Sequence, residues 1–401
     1  MPNSVDLHIN AIKVSTRLLF FVLYRMSDVI DKRYMEKMAM PSPTIDDMEL
    51  PIYDMKAINL LLKTTVMYGE SGTGKSTIIY HMLKLLRPYI PIFIVISPTA
   101  ASNGDYDDRI PSVLIFKEPS IEIFRAIYQR QEAAAAFYRK ANKIEILESL
   151  YVKVRDRKID AIVMAIKRKR IFAKQKVSEQ YSHDISKRDD EIKSIDDTHD
   201  ENLRNVYRIS IRKHKDFLTK KYKLSAEQIY CLKYLDFNPN LGLIVDDCAA
   251  QIKQWGKDET IGKIFYQGRH NFITSIYTFQ HDKLLDTNFR QNAFNSIFTT
   301  EKCARAYFTR PTNNFDKDEQ AKVKNILKEI FASGDPNKKF QKFIYIRESK
   351  QQYFRFTAPT YPKFKVCFPY VQKFCELVKS NEETFDESNP FMKNFMIVPD
   401  M

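Results

Sequence analysis

Short runs of continuous apolar residues alternate with longer stretches of helical spacing along most of this chain. The runs at 64–68, 90–96, 112–116, 241–245 and 273–279 are five to seven residues long and end in polar turns. Such runs read as strands buried on both faces, the pattern of a parallel sheet. Pro91 sits near the start of its run, where a strand tolerates it. A further strand is predicted over 295–300. A hairpin pairing 343–346 with 353–356 is expected at the sheet edge. Helical spacing fills the gaps. It runs over 76–86, and again from a Ser120 cap through Phe124, Ile127, Tyr128 and the alanines at 133–136. Ser225 and Gln228 fit a capping box that opens another helix. Strands interleaved with helices call for an α/β sheet with helices on both faces. No internal repeat is visible.

One stretch departs from this pattern. Residues 151–230 hold 21 Lys/Arg against 13 Asp/Glu, a surplus of eight from a fifth of the chain. Ile159, Ile162, Val163 and Ile166 share one helical face, followed by Lys167-Arg168-Lys169-Arg170. A second helix carries Leu203, Val206, Ser210 and Phe217. The segment from His183 to Asp200 is charged and lacks glycine and proline. These features predict a helical hairpin arm with a mobile tip. Its two basic clusters, 167–170 and 212–215, are expected at one level near the base. Such an arm meets DNA phosphates, a capsid surface or a neighbouring subunit, or is a solvated brace.

The polar turns carry the chemistry. After the first strand comes Gly69-Glu70-Ser71-Gly72-Thr73-Gly74-Lys75-Ser76-Thr77, the G-x-x-x-x-G-K-[ST] phosphate-binding loop. Its glycines let backbone N–H groups curl round an anionic phosphate chain. Lys75 supplies a point charge for the β- and γ-phosphates, and Ser76 a hydroxyl ligand for Mg²⁺. The strand at 241–245 ends in Asp246-Asp247. Asp246 is the expected anchor for the metal. Alternation of side chains at the strand end would turn Asp247 toward the attacking water, as its base. Gln280 ends the strand at 273–279, where a neutral amide can sense the γ-phosphate or orient water. Charge on the transferring phosphoryl group also calls for a cation, often supplied by a neighbouring subunit. Arg269 and Arg290 flank that strand as the two candidates. Each also reads as a plain surface arginine.

Composition bounds the rest. The 401 residues carry a net charge of +14 and a pI near 9.3. That surplus favours an anionic partner beyond the nucleotide, with nucleic acid ahead of an anionic membrane surface. Five dispersed cysteines without a C-x-x-C argue for reduced thiols. No His/Cys cluster has zinc spacing. The apolar run at 18–24 is too short to span a bilayer and has no cleavage site after it, so no membrane segment is expected. The chain divides into a lead-in (1–60), a P-loop half (61–150), the basic insertion (151–230), a second core half (231–360) and a tail (361–401).

With these residues in place, the chain resembles the genome-packaging ATPases of nucleocytoplasmic large DNA viruses. These are poxvirus-like members of the FtsK/HerA superfamily of P-loop DNA pumps. The resemblance covers roughly 60–145 and 238–360. Beyond the P-loop it rests on Ser97-Pro98-Thr99 followed by Asn103 and Tyr106, on the aspartate pair, on Gly268-Arg269-His270 with Gln280 eleven residues after the arginine, and on Arg290-Gln291-Asn292. It implies a RecA/FtsK-like P-loop fold and an ATP-hydrolysing double-stranded DNA translocase that packages a viral genome. It further implies a homo-oligomeric ring with ATP at subunit interfaces and duplex DNA in the pore. Capsid or portal-vertex proteins would be partners, in the virion or the infected-cell cytoplasm. The family pattern favours Arg269 as the trans finger. The chain departs at Asp247, where many relatives outside the viruses carry glutamate. The insertion at 151–230 lies outside the resemblance. Other readings are a helicase or conjugation-type pump, a nucleoside or small-molecule kinase, and a nucleotide-binding scaffold without turnover. GTP is disfavoured because no N-K-x-D tetrad follows the core strands.

Overall fold

The computed structural model describes residues 44–45, 48–100, 104–331, 340–347, 349 and 351–380. The apolar run at 18–24, Asn103 and the last 21 residues fall outside them. The chain divides into two compact units. One comprises residues 1–128 and 240–397, and the other is essentially 129–239. These limits are wider than the 151–230 marked by charge. The helix Ile121–Ala141 crosses the division, and its second half belongs with the insertion.

The first unit is an eight-stranded α/β sheet. Its strands are β1 (Thr64–Tyr68), β2 (Ile92–Ile96), β3 (Ile115–Phe116), β4 (Leu241–Val245), β5 (Ile273–Phe279), β6 (Asn295–Phe298), β7 (Gln341–Ile346) and β8 (Tyr353–Thr357). They lie in the order β8-β7-β6-β1-β5-β4-β2-β3. The six from β6 to β3 are mutually parallel, and β7 and β8 close one edge as an antiparallel hairpin. Every residue of β2, β4 and β5 is buried, which is why these segments read as continuous apolar runs. The threonines and the serine in β5 are engaged. Thr274 accepts the Leu62 N–H at 2.8 Å, Ser275 lies 3.0 Å from the Thr64 hydroxyl, and Thr278 bonds Asp246. This is the P-loop, RecA-like architecture expected from the sequence. A single strand, β5, separates the P-loop strand from the strand that ends in the aspartate pair. Residues 112–114, expected as strand, form a 3-10 turn instead, and only Ile115 and Phe116 pair.

The second unit is helical. Helix α1 (Arg157–Gln180) and helix α2 (Ile185–Lys213) form the long hairpin. Asp156 and Asp184 cap their N-termini by accepting from the backbone of Lys158 and Lys187. The expected capping box at Ser225 and Gln228 is complete. The break between the two helices spans only 181–184. Residues 185–200, expected as a tip, continue the second helix, because Asp184 caps it and ion pairs hold it along its length. A small core of Leu147, Leu150, Tyr151, Val163, Leu203, Tyr207 and Ile211 fills the base. Val163 is the buried residue of α1, while Ile162 stays half exposed. Farther along, Arg170 bridges Asp196 and Asp200 at 2.7 and 2.9 Å, and Lys174 also meets Asp196. Among the described residues, no helix is long and apolar enough to cross a membrane. All five cysteines are buried free thiols.

Candidate active site

Parallel strands bring their C-terminal ends to one edge of a sheet, and the loops that follow converge there. Here those loops carry the P-loop, Ser97, the aspartate pair, Gln280 and Thr299. Two hydrogen bonds pin the mouth of the P-loop. The Gly69 N–H donates to the Phe279 carbonyl, and the Thr299 N–H to the Tyr68 carbonyl, each at 2.9 Å. Gly69 has no room for a side chain, since a Cβ there would lie 1.7 Å from the Thr299 Oγ1. Gly72 and Gly74 take φ of +74° and +87°, a region that costs glycine nothing. Gly74 caps the helix Lys75–Leu86, so the loop ends at a helix N-terminus. The Thr73 hydroxyl donates to the Glu70 carbonyl at 2.8 Å and sits 2.6 Å from the Thr299 hydroxyl. Lys75, largely buried, folds over the loop and donates to the carbonyls of Gly69 and Glu70 at 2.9 and 3.0 Å. Glu70 pairs outward with Lys302 at 2.8 Å, which holds its carboxyl below the usual range.

The structure joins this loop to the aspartates through a segment to which the residue pattern alone assigns no part. The Ser76 hydroxyl is 3.4 Å from an Asp105 carboxylate oxygen, and the Tyr80 hydroxyl donates to the Asp105 carbonyl at 2.6 Å. The next residue, Tyr106, is fully buried and donates to the Asp246 Oδ2 at 2.9 Å. The Thr278 hydroxyl donates to the Asp246 Oδ1. Burial pushes the Asp246 carboxyl above the usual range, against these two hydrogen bonds and the nearby Lys75 charge, which favour its ionised form. In the sequence, Tyr106 stands out only through the family resemblance. Thr278 reads as one more β-prone residue, and only the register of β5 beside β4 reveals its contact.

Asp247 follows with φ of +54°, and its N–H donates to the Thr278 Oγ1 at 3.2 Å. It diverges from Asp246 because the chain turns into the left-handed region there, not through the side-chain alternation expected at a strand end. Its Oδ1 is buried with no hydrogen-bond partner among the described residues. Gln280 is exposed beside Phe279, whose carbonyl holds Gly69, so it stands at the same edge.

The two arginines lie elsewhere. Arg269 sits in the 3-10 turn Gly268–Asn271 before β5, exposed, with its Nε 3.3 Å from the His270 ring. The seven residues of β5 separate it from Gln280, on the order of 20 Å at ~3.3 Å per residue. It does not join the P-loop of its own chain. Arg290 is 5% exposed, and its guanidinium is spent on five acceptors. They are Asn313 Oδ1 and the Asp282 carbonyl at 3.0 Å each, the Leu285 carbonyl, Thr287 Oγ1 at 2.7 Å and Thr312 Oγ1 at 3.1 Å. A guanidinium held this fully inside its own chain is a loop clamp. Arg290 is therefore neither a surface arginine nor available as a trans finger.

The arrangement presents an anion cradle with a lysine beside two carboxylates. The Ser76 hydroxyl with Asp246 and Asp105 is the hard-oxygen donor set that suits Mg²⁺. Among the described residues, no group of three or more His, Cys, Asp and Glu gathers as a metal site. A site in which one carboxylate shares a metal with a hydroxyl and phosphates needs no such group.

No family model matches the chain. Protein B354L of African swine fever virus (isolate Tick/Malawi/Lil 20-1/1983) is 30% identical over 363 residues, which cover 87% of this chain and 97% of that one. Protein 075L of Invertebrate iridescent virus 6 is 42% identical over 69 residues, 17% of this chain and 27% of its own. Among solved structures, the genome packaging NTPase B204 from Sulfolobus turreted icosahedral virus 2, in complex with AMPPCP, is 11% identical. The match covers 75% of this chain and 99% of that one, with a TM-score of 0.35.

Proposed function

The chain belongs to the viral protein family of African swine fever virus B354L, and from that premise we propose that it is an ATP-hydrolysing double-stranded DNA translocase that packages a viral genome. The observation that carries the hydrolytic part is the bonded path from Ser76 through Asp105 and Tyr106 to Asp246, with Asp247 turned aside by its positive φ. That path links the phosphate loop to Asp246 and supports the reading.

In this reading the loop from Gly69 to Thr77 wraps the triphosphate, and Lys75 moves from its loop carbonyls to the β- and γ-phosphates. Ser76 and Asp246 hold Mg²⁺, which when bound neutralises charge on the phosphate oxygens. Tyr106 and Thr278 orient the Asp246 carboxylate. Asp247, with one buried carboxylate oxygen unspent, accepts a proton from the attacking water. Gln280 orients that water or reads the γ-phosphate. Arg269, remote from its own P-loop, serves the site of a neighbouring subunit in a ring.

Support for DNA as the cargo is the +14 charge together with the motif resemblance around Ser97, Arg269 and Gln280. Contacts to the phosphate backbone are indifferent to sequence, as a motor on any genome requires. The ATPase rate with and without duplex DNA tests the reading. Stimulation is expected. A rate indifferent to DNA favours a kinase, and no rate at all a scaffold.

A further inference from the structure

A second lysine reaches the phosphate loop from the far side of the sequence. β7 runs antiparallel to β6, with Phe343 opposite Phe298. Its first residues therefore stand at the sheet edge where the parallel strands end. Lys342, 2% exposed, extends from there and donates to the Thr73 carbonyl at 2.8 Å. A Cβ built on Gly74 would lie 3.5 Å from its ammonium, so the side chain runs along the loop itself. Burying an ammonium is costly unless something anionic or strongly accepting compensates it. Among the described residues its acceptor is one neutral carbonyl.

The Thr73–Gly74 peptide is trans, as is every described peptide bond. In a trans peptide the carbonyl and the following N–H point in opposite directions. Whatever holds the Thr73 carbonyl therefore sets the Gly74 N–H on the other side. Gly74, at φ +87°, supplies one of the two torsions about which this peptide could rotate if it were not held.

We propose that Lys342 is a positioning residue of the phosphate loop, fixing the Thr73–Gly74 peptide so that the Gly74 N–H faces a bound polyphosphate, and adding a second positive charge behind the loop. The proposal rests on the nucleotide reading above. It makes β7 part of the nucleotide site and not just a sheet edge. Burial pushes the Lys342 ammonium down to about 8, so its charge is lost just above neutral pH. Around it, β6 carries no ionisable side chain, β7 itself carries Tyr345, β8 carries Tyr353 and Arg355, and the loop and its helix carry Glu70, Lys75, Tyr80, His81 and Lys84. Burial holds His81 near 4 and raises Tyr353, while Lys302 keeps Glu70 low. None of these three changes charge between pH 7 and 9.

Calorimetric titration of Mg·ATP into the full chain at pH 7 and pH 9 tests the role, with Lys75→Ala as reference. Lys342→Met is expected to bind on the order of tenfold to a hundredfold more weakly at pH 7, the effect of removing one charge-assisted hydrogen bond. Wild-type affinity should fall about tenfold more between pH 7 and 9 than that of Lys342→Met. Lys342→Arg, charged at both values, should keep its affinity at pH 9. Lys342→Met binding within twofold of wild type overturns the proposal. So does weak binding with the wild-type pH slope, which would mark a packing residue. If Lys342→Met does not fold, the wild type and Lys342→Arg still decide, since equal slopes in the two overturn it. A wild type that binds no ATP at either pH overturns the nucleotide reading itself, a result distinct from any of these.

Discussion

The sheet unit and the helical unit use charge in opposite ways. In the sheet unit several of the buried charges hold particular groups of the fold and the site. Lys75 spans the loop, Asp246 takes two hydroxyl donors, and Arg290 clamps the loops around it. In the helical unit charges are many, and a share of them pair along the surface. Lys167 meets Glu148, Arg170 meets Asp196 and Asp200, and Arg212 meets Asp236. Such exposed pairs contribute roughly 0–1 kcal/mol each. A surplus counted from sequence therefore overstates the charge free to meet a partner, while a lone buried ion understates its consequence.

Substitution at the phosphate loop gives the largest contrast. Lys75→Ala should abolish hydrolysis and weaken nucleotide binding. Asp247→Asn should leave binding intact and lower single-turnover hydrolysis by about a hundredfold or more, the usual scale for removing a general base. Near-normal turnover in Asp247→Asn would remove it as the base. No comparable defect is expected from breaking any single ion pair of the helical unit.

Next in size is Arg269. If it completes a neighbouring site, Arg269→Ala binds ATP normally and hydrolyses at least about tenfold more slowly. Mixing it with Lys75→Ala subunits should restore activity, because one interface then joins an intact loop to an intact finger. Confirmed mixed assemblies that stay inactive at every ratio would end the trans role.

Arg290 tests the sheet unit from the side of stability. Lys75 and Arg290 are both buried cations, yet only the first faces the phosphate cradle. Arg290→Met strands the Asp282 and Leu285 carbonyls and should cost about 3 kcal/mol or more. Thermal unfolding would show this as a drop of several degrees. ATP affinity of the protein that remains folded should be unchanged. Full stability with abolished turnover would return Arg290 to the catalytic groups.

The strands themselves and the site edge were legible because both follow from local rules. Continuous apolar runs marked 64–68, 241–245 and 273–279, and the residues just after them had to share an edge. Contacts across the sheet were not legible. Thr278 meets Asp246 only through the register of β5 on β4, and Lys342 meets Thr73 only because β7 runs backwards. Nothing in the local sequence of either residue signals a partner more than thirty positions away. Arg290 shows the reverse error. A polar Arg-Gln-Asn run reads as surface, but its neighbours at 282–287 and 312–313 supply a ready set of acceptors.

The smallest expected effect concerns the basic clusters of the helical unit. The sequence predicts them at one level, and ion pairs place them apart. Lys213 faces Asp156 at 3.9 Å, while Arg170 faces Asp200 thirteen residues farther along the same helix. At 1.5 Å per residue that is about 20 Å. Within 167–170, Lys167 and Arg170 are paired, whereas Arg168 and Lys169 are exposed and join none of the ion pairs among the described residues. If this unit meets DNA, those two are the residues left to do so from that cluster. Removing one phosphate contact lowers the log–log salt slope of binding by about 0.9. The double variant Arg168→Gln, Lys169→Gln should therefore flatten the slope by at most about 1.8 and leave basal ATPase untouched. Replacing Lys167 and Arg170 instead should leave the slope nearly unchanged, since their charges are already matched. Equal slopes for wild type and the 168/169 variant would assign the helical unit to bracing or to a protein partner. A flattening as large in the 167/170 variant would show that its ion pairs open on DNA, and that pairing seen in the free chain does not remove a charge from use.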